Sequence, residues 1–155
     1  MKFILTGELG RLATWLRILG FDTLVEKEKA KVVMESLREK RVILTRDSKM
    51  SRFTGTRMVN IKSDFVEEQI AQVLKELDLK IDRSQLFKIC VLCNERLEET
   101  PKQGVEAVVP EYVFRTQDIF LRCPKCDKVY WQGTHWALVN KFLEKISPQS
   151  TDHSP

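Results

Sequence analysis

The only four cysteines of this chain stand as two pairs, Cys90-Val-Leu-Cys93 and Cys123-Pro-Lys-Cys126, with 29 residues between them. A two-residue spacing folds the backbone into a tight knuckle that aims both sulfurs at one point. Two facing knuckles make a tetrahedral thiolate cage, the usual structural zinc site, and Cys90, Cys93, Cys123 and Cys126 are its expected ligands. Two disulfides or four buried thiols compete with zinc for the same spacing, and a rubredoxin-like iron centre is the competing metal. Pro124 stiffens the second knuckle, and Asp127-Lys128 follows as a turn. The gap is long for a short finger, so an insertion must loop out between the knuckles.

Upstream, strand and helix signals alternate four times in about 80 residues. Lys2–Leu5 reads as a buried strand ended by Thr6-Gly7. Leu9, Leu12, Ala13, Leu16 and Leu19 recur at helical spacing, and Gly20 suits a helix C-terminus. Phe21–Val25 reads as a second strand. Ala30–Lys40 reads as a helix with Val32, Val33 and Leu37 inward. Arg41–Thr45 is the clearest strand, Ser48–Phe53 one helical turn, and Met58–Ile61 a fourth strand. Asp64 with Glu67 has the form of a capping box for a helix through Leu77. The expected fold class is therefore α/β, a mainly parallel sheet flanked by helices and followed by a small zinc-ribbon module. The expected domains are residues 1–83, residues 84–146 as ribbon with a C-terminal helix, and a disordered tail at 147–155. Within the ribbon, Val105–Val109 reads as a strand and Pro110–Tyr112 as a turn, Ile119–Arg122 leads into the second knuckle, Val129–Trp131 reads as a strand, and Gly133-Thr134 as the opening of a helix.

In such sheets the functional crevice lies beyond the carboxyl ends of the strands. That rule collects Thr6, Glu8, Asp22, Arg46, Asp47 and Asp64. A carboxylate after a strong apolar strand, as at Asp47, suits Mg²⁺ or Mn²⁺, and a phosphodiester-cleaving site needs several converging carboxylates. Asp22, Asp64, Glu67, Glu68 and Glu8 are the acids that could converge with it, although aspartates after strands are also common turn formers and helix caps. Arg11, Arg17 and Arg46 carry guanidinium forks that match backbone phosphates. Trp131, His135 and Trp136 form an aromatic group after the second knuckle, able either to stack on unpaired bases or to cover the ribbon core.

Charge is uneven. Residues 1–85 hold 17 Lys and Arg against 13 Asp and Glu, and the remainder is balanced, so the whole net charge of +4 lies upstream of the cysteines. No apolar run approaches the roughly 18 residues of a membrane span, and no export signal opens the chain, so the expected compartment is the reducing cytoplasm, with no membrane partner. There is no Gly-rich phosphate loop and no His-rich metal site. Both histidines fall in the last 21 residues, which removes histidine general-base work from the N-terminal half.

Leu9-Gly10-Arg11-Leu12-Ala13, Trp15-Leu16-Arg17, Leu19-Gly20 and Leu44-Thr45-Arg46-Asp47 together resemble the N-terminal half of the Mut-seven C-terminal RNase family. Glu67-Glu68-Gln69, the cysteine pairs and Tyr130-Trp131-x-Gly133-Thr134-His135-Trp136 continue the resemblance over about residues 1–146. It implies a PIN-like nuclease domain joined to a zinc ribbon, cleaving RNA with Mg²⁺ or Mn²⁺ on acidic residues while the ribbon grips RNA. Asp47 matches that acidic set, with Asp22 and Asp64 at positions where the family often has acids. The chain departs from the pattern at Thr6, where the family usually has an aspartate, and at Lys29-Ala30-Lys31, where it tends to place acids. Either neighbouring acids such as Glu8 rebuild the site, or the chain is a catalytically weakened RNA- or protein-binding member of the same fold.

Overall fold

Val42–Thr45 (β3) is apolar and β-branched, buried along its whole length, and lies parallel to Lys2–Thr6 (β1), pairing Phe3 with Val42, Ile4 with Ile43 and Leu5 with Leu44. Asp22–Glu26 (β2) adds to the far side of β1, and Met58–Asn60 (β4) to the far side of β3, giving a four-stranded parallel sheet of order β2-β1-β3-β4. Continuous apolar strands such as these require cover on both faces. Successive side chains alternate across the sheet. Ile4 and Ile43 meet Val32 of the helix Lys29–Glu39 (α2), together with Met50. The helices Gly10–Ile18 (α1) and Val66–Glu76 (α3) pack against one another. The computed structural model describes residues 1–52 and 55–146; the tail expected to be disordered lies outside them.

The chain forms two compact units, Met1–Asn94 and Glu95–Pro155. The expected boundary at 83/84 falls inside the first. Within that unit, Phe87 N–H donates to the Ile18 carbonyl at 2.9 Å, and Asn94 Oδ1 accepts from Thr23 N–H at 2.9 Å. The second unit holds an antiparallel sheet of Glu98–Thr100 (β5), Phe120–Arg122 (β6) and Val129–Trp131 (β7), with the helices Glu111–Thr116 (α4) and Thr134–Ile146 (α5). Phe120, Val105, Val109 and Val113 form its core, and Trp131 packs against them.

Four local expectations are corrected. Leu37 is exposed, and Ser36 takes the inward place on α2, donating its hydroxyl to the Arg41 carbonyl at 2.6 Å. The capping box does not form: α3 starts at Val66 with Phe65 at its N-cap, and Asp64 instead pairs with Arg46. Val105–Val109 is no strand, because Val105 ends the 3₁₀ turn Lys102–Val105 and Val109 N–H returns to the Val105 carbonyl. Pro110 is the N-cap of α4 rather than part of a turn, as suits a residue with no N–H to satisfy. β5 has no apolar alternation to announce it; it exists through its pairing with β6.

Asp22 pairs with Lys2 in register, so it stands at the amino edge of the sheet, opposite the edge where Asp47 lies. Its carboxylate accepts from Arg41 Nη1 at 2.8 Å and Asn94 Nδ2 at 2.7 Å. Burial pushes this carboxyl up, but those two donors and the Arg41 charge outweigh burial and hold it below its ordinary value. Arg17 is likewise structural: Nε and Nη2 donate to the Thr23 carbonyl at 3.0 and 2.8 Å, and Nη1 to the Val91 carbonyl at 2.8 Å. These residues fasten the segment around the first cysteine knuckle to β2. Asp22→Asn should lower stability by about 2 kcal/mol, because the buried Arg41 loses a charged acceptor. A carboxyl with a depressed folded value stabilises fully above its unfolded value and loses that contribution as pH falls through the folded one. The difference in denaturant midpoint between Asp22→Asn and wild type should therefore be complete near neutrality and shrink below pH 3.8, the ordinary value for this group. Equal midpoints at neutral pH would refute the assignment.

Candidate functional site

β1 and β3 end side by side in Thr6 and Thr45, and both residues are buried. Their hydroxyl oxygens are 3.0 Å apart, and Thr6 Oγ1 lies 2.6 Å from Glu8 Oε1. A carboxylate can only accept, so the single Thr6 proton goes to Glu8 and the contact between the threonines uses the Thr45 proton. Thr45 Oγ1 in turn accepts from Asp47 N–H at 3.0 Å, and Arg46 N–H reaches Glu8 Oε1 at 3.3 Å. A relay of hydrogen bonds thus runs Asp47–Thr45–Thr6–Glu8 across the carboxyl edge. Glu8 belongs to the 3₁₀ turn Gly7–Leu9 that leads from β1 into α1, which brings its side chain back over the strand end.

Both acids of this relay are held ionised. Burial pushes the Glu8 carboxyl up, and the nearby Asp47 charge does the same, but the Thr6 hydroxyl and the backbone N–H groups of Glu8 and Arg46 bring it below its ordinary value. Asp47 is lowered first by its hydrogen bond with Lys29 Nζ, then by the Lys49 N–H, which reaches Oδ1 at 2.9 Å. Lys29 opens α2, so the helix that covers one face of the sheet also supplies the cation on Asp47.

Beside the relay lies a cleft of about 190 Å³ lined by Glu8, Arg11, Arg46, Asp64 and Gln69 among others. Arg11 comes from the first turn of α1, Arg46 follows β3, and Asp64 precedes α3, where it forms an ion pair with Arg46. Gln69 is buried and donates to the Ser63 carbonyl at 2.8 Å, tying the Asp64 loop to α3. Of the acids expected to act together, Asp47 and Asp64 are at this edge and Asp22 is not. Of the expected phosphate partners, Arg11 and Arg46 line the cleft and Arg17 is spent on backbone carbonyls. Glu8 and Lys29 are the residues that the pattern of acids after strands underweighted; the signal for both was the departure from that pattern at Thr6 and Lys29 themselves.

Glu8 and Asp47 offer two ionised carboxylates, which suits one Mg²⁺ or Mn²⁺ completed by phosphate oxygens and water. Among the described residues no third carboxylate joins them in a converging group of three or more ligands. They do not fit an all-protein cage for two ions.

The cysteines do converge. All are free thiols, and their four sulfurs lie within 4.8 Å of one another, compatible with an S₄ zinc site. Each knuckle closes in the same way. The residue after its second cysteine, Asn94 or Asp127, takes a left-handed φ of 61° or 63° and donates its N–H to the carbonyl of the first cysteine at 2.9 Å. Asn and Asp are the side-chain-bearing residues that tolerate this conformation best. In the second knuckle Cys126 N–H also points at Cys123 Sγ at 3.5 Å. Trp131, half-buried, covers the core of its unit, and Gly133 lies so close to the Trp131 indole that an added Cβ would sit 3.2 Å from its nitrogen. The His135 side chain lies outside the described residues. One zinc per chain is expected by elemental analysis. Cys123→Ser should lower that ratio and the melting temperature together, whereas an intact melting temperature after complete metal removal would contradict a structural site.

No curated protein and no solved structure matches the chain. Among the described residues no helix is long and apolar enough to cross a membrane. The Mut7-C RNAse domain family model matches residues 1–143, and with a match over nearly its whole length the chain belongs to that family.

Proposed function

We propose that this protein is a metal-dependent ribonuclease that takes RNA phosphates in the cleft between Arg11 and Arg46 and cleaves beside Glu8 and Asp47. The observation that carries the reading is the Thr6–Glu8 hydrogen bond of 2.6 Å. Where the family pattern expects an acid at the end of β1, the threonine hydroxyl recruits the glutamate two residues on, so a carboxylate stands next to Asp47 after all. Glu8 and Asp47 would hold the Mg²⁺ or Mn²⁺, which when bound activates water and neutralises phosphoryl oxygens. Arg11 and Arg46 orient the phosphate, since a guanidinium offers two parallel N–H donors to its oxygens. RNA phosphates also give Lys29 and Arg46 alternative partners, releasing the carboxylates they neutralise in the free protein. The cysteine module is read as a zinc-stabilised part of the RNA-gripping surface, with Trp131 holding its core and His135 as a candidate contact. Zinc and a rubredoxin-like iron centre are told apart by the visible absorbance of an aerobic preparation, which zinc lacks. A cytoplasmic setting fits the four free thiols.

A second reading is favoured by the Lys29–Asp47 pair: a weakened member that binds RNA without cutting it, the lysine charge standing where a metal would otherwise sit. The two part on one assay. Incubated with single-stranded and structured RNA, wild type should cleave only with Mg²⁺ or Mn²⁺ present. Asp47→Asn and Glu8→Gln should each lose about a hundredfold or more, comparable to removal of one essential electrostatic group. RNA retained but never cut, with salt-dependent affinity unchanged by Asp47→Asn, would replace the first reading with the second. Arg46→Ala should weaken binding in either case and reduce the steepness of its salt dependence.

A further inference from the structure

Phe65 breaks a local rule beside the cleft. It occupies the N-cap of α3, where Ser, Thr, Asp or Asn would accept a helix N–H, and it makes no side-chain cap bond. Its ring is not core either, since the residue is 66% exposed. Yet it is held in place. Phe65 N–H donates to Ser63 Oγ at 3.0 Å, the Phe65 carbonyl accepts from Gln69 N–H at 2.9 Å, and its neighbour Asp64 is anchored by Arg46. The residues on either side, Asp64 and Val66, both line the cleft that Arg11 and Arg46 share.

We propose that Phe65 is the stacking platform for an unpaired base of the RNA strand whose phosphates occupy the Arg11–Arg46 cleft. This rests on the reading of that cleft as an RNA site and adds a substrate class to it, namely single-stranded or looped RNA. A rigidly based, solvent-facing ring next to guanidinium donors is the pairing that single-strand recognition uses. The arginines hold the backbone while the ring takes one base face without regard to sequence. Bases inside a duplex are already stacked and paired and have no free face to offer. The platform therefore selects unpaired RNA over duplex, and it does so without a hydrogen bond to any base edge. Exposure of so large an apolar ring at a helix start gives the fold no cap and leaves most of the ring unburied, which is the pattern of a residue kept for a ligand.

The test is equilibrium binding by full-length, zinc-loaded protein in buffer free of Mg²⁺ and Mn²⁺. The probes are a fluorescent single-stranded oligonucleotide, the same strand in a duplex, a strand carrying abasic positions, and inorganic polyphosphate. Phe65→Ala is expected to weaken single-strand binding about tenfold while leaving duplex and polyphosphate binding within about twofold. Abasic positions should cost wild type a similar factor and cost the variant little. Phe65→Ser, which supplies the missing cap, should melt no lower than wild type yet show the same loss for single strands, and Phe65→Trp should retain binding. Single-strand affinity unchanged in Phe65→Ala would overturn the platform while leaving the cleft reading intact. Equal losses on all probes would also overturn it, by assigning Phe65 to general cleft integrity. Wild type that binds neither RNA nor polyphosphate would remove the cleft reading and the platform with it.

Discussion

Thr6 and Thr45 end two adjacent parallel strands, and the 3.0 Å contact between their hydroxyls fixes what the carboxyl edge can become. Each threonine spends its remaining capacity on an acid segment. Thr45 Oγ1 accepts the Asp47 N–H and so sets the turn after β3, and Thr6 donates to Glu8 and so sets the turn after β1. Both hydroxyls are buried, where an unmade hydrogen bond would cost about 1–3 kcal/mol, so the relay is expensive to break and its geometry well defined. The position of Glu8 beside Asp47 follows from that buried pair, and with it the reading of the edge as a site for one cation and a phosphate.

The two edges of the sheet divide the work. At the carboxyl edge, cations of the chain itself neutralise carboxylates through Lys29–Asp47 and Arg46–Asp64, pairs that solvent reaches and weakens. At the amino edge the pairing is built in: Arg41 is 4% exposed at its side chain and is shared among Asp22, Glu39 and the Phe3 carbonyl, while Asn94 and Arg17 carry the hydrogen bonding on toward the first knuckle. The same residue types thus give solvent-screened pairs at one edge and a structural clamp at the other, and burial decides which.

Much of this was legible in the sequence. Apolar runs located β1 and β3, Gly20 marked the end of α1 with φ of 94°, and the cysteine spacing announced a converging S₄ set. What could not be read were contacts between segments far apart in the chain. Arg17 and Asp22 look like site residues until β2 places Asp22 at the amino edge and the Val91 and Thr23 carbonyls take up the guanidinium. Asp64 scores as a helix cap by spacing, but an arginine 18 residues upstream competes for it and wins. Thr6 counts as a missing acid in a one-dimensional comparison, whereas in three dimensions its hydroxyl is what brings Glu8 into place. The Val105–Val109 run has strand composition, and the 3₁₀ turn that starts at Lys102 overrides it so that Val105 and Val109 can both point into the small core.

Glu8, held by Thr6, is proposed to supply the carboxylate that works with Asp47. Mn²⁺ titration of the zinc-loaded protein, followed by the loss of free-ion paramagnetic resonance signal, measures this without any cleavage. One Mn²⁺ site per chain is predicted, weakened about tenfold or more by Glu8→Gln, by Asp47→Asn and by Thr6→Val, and unaffected by Asp22→Asn. Mn²⁺ affinity that is indifferent to Glu8→Gln and Thr6→Val would contradict the account.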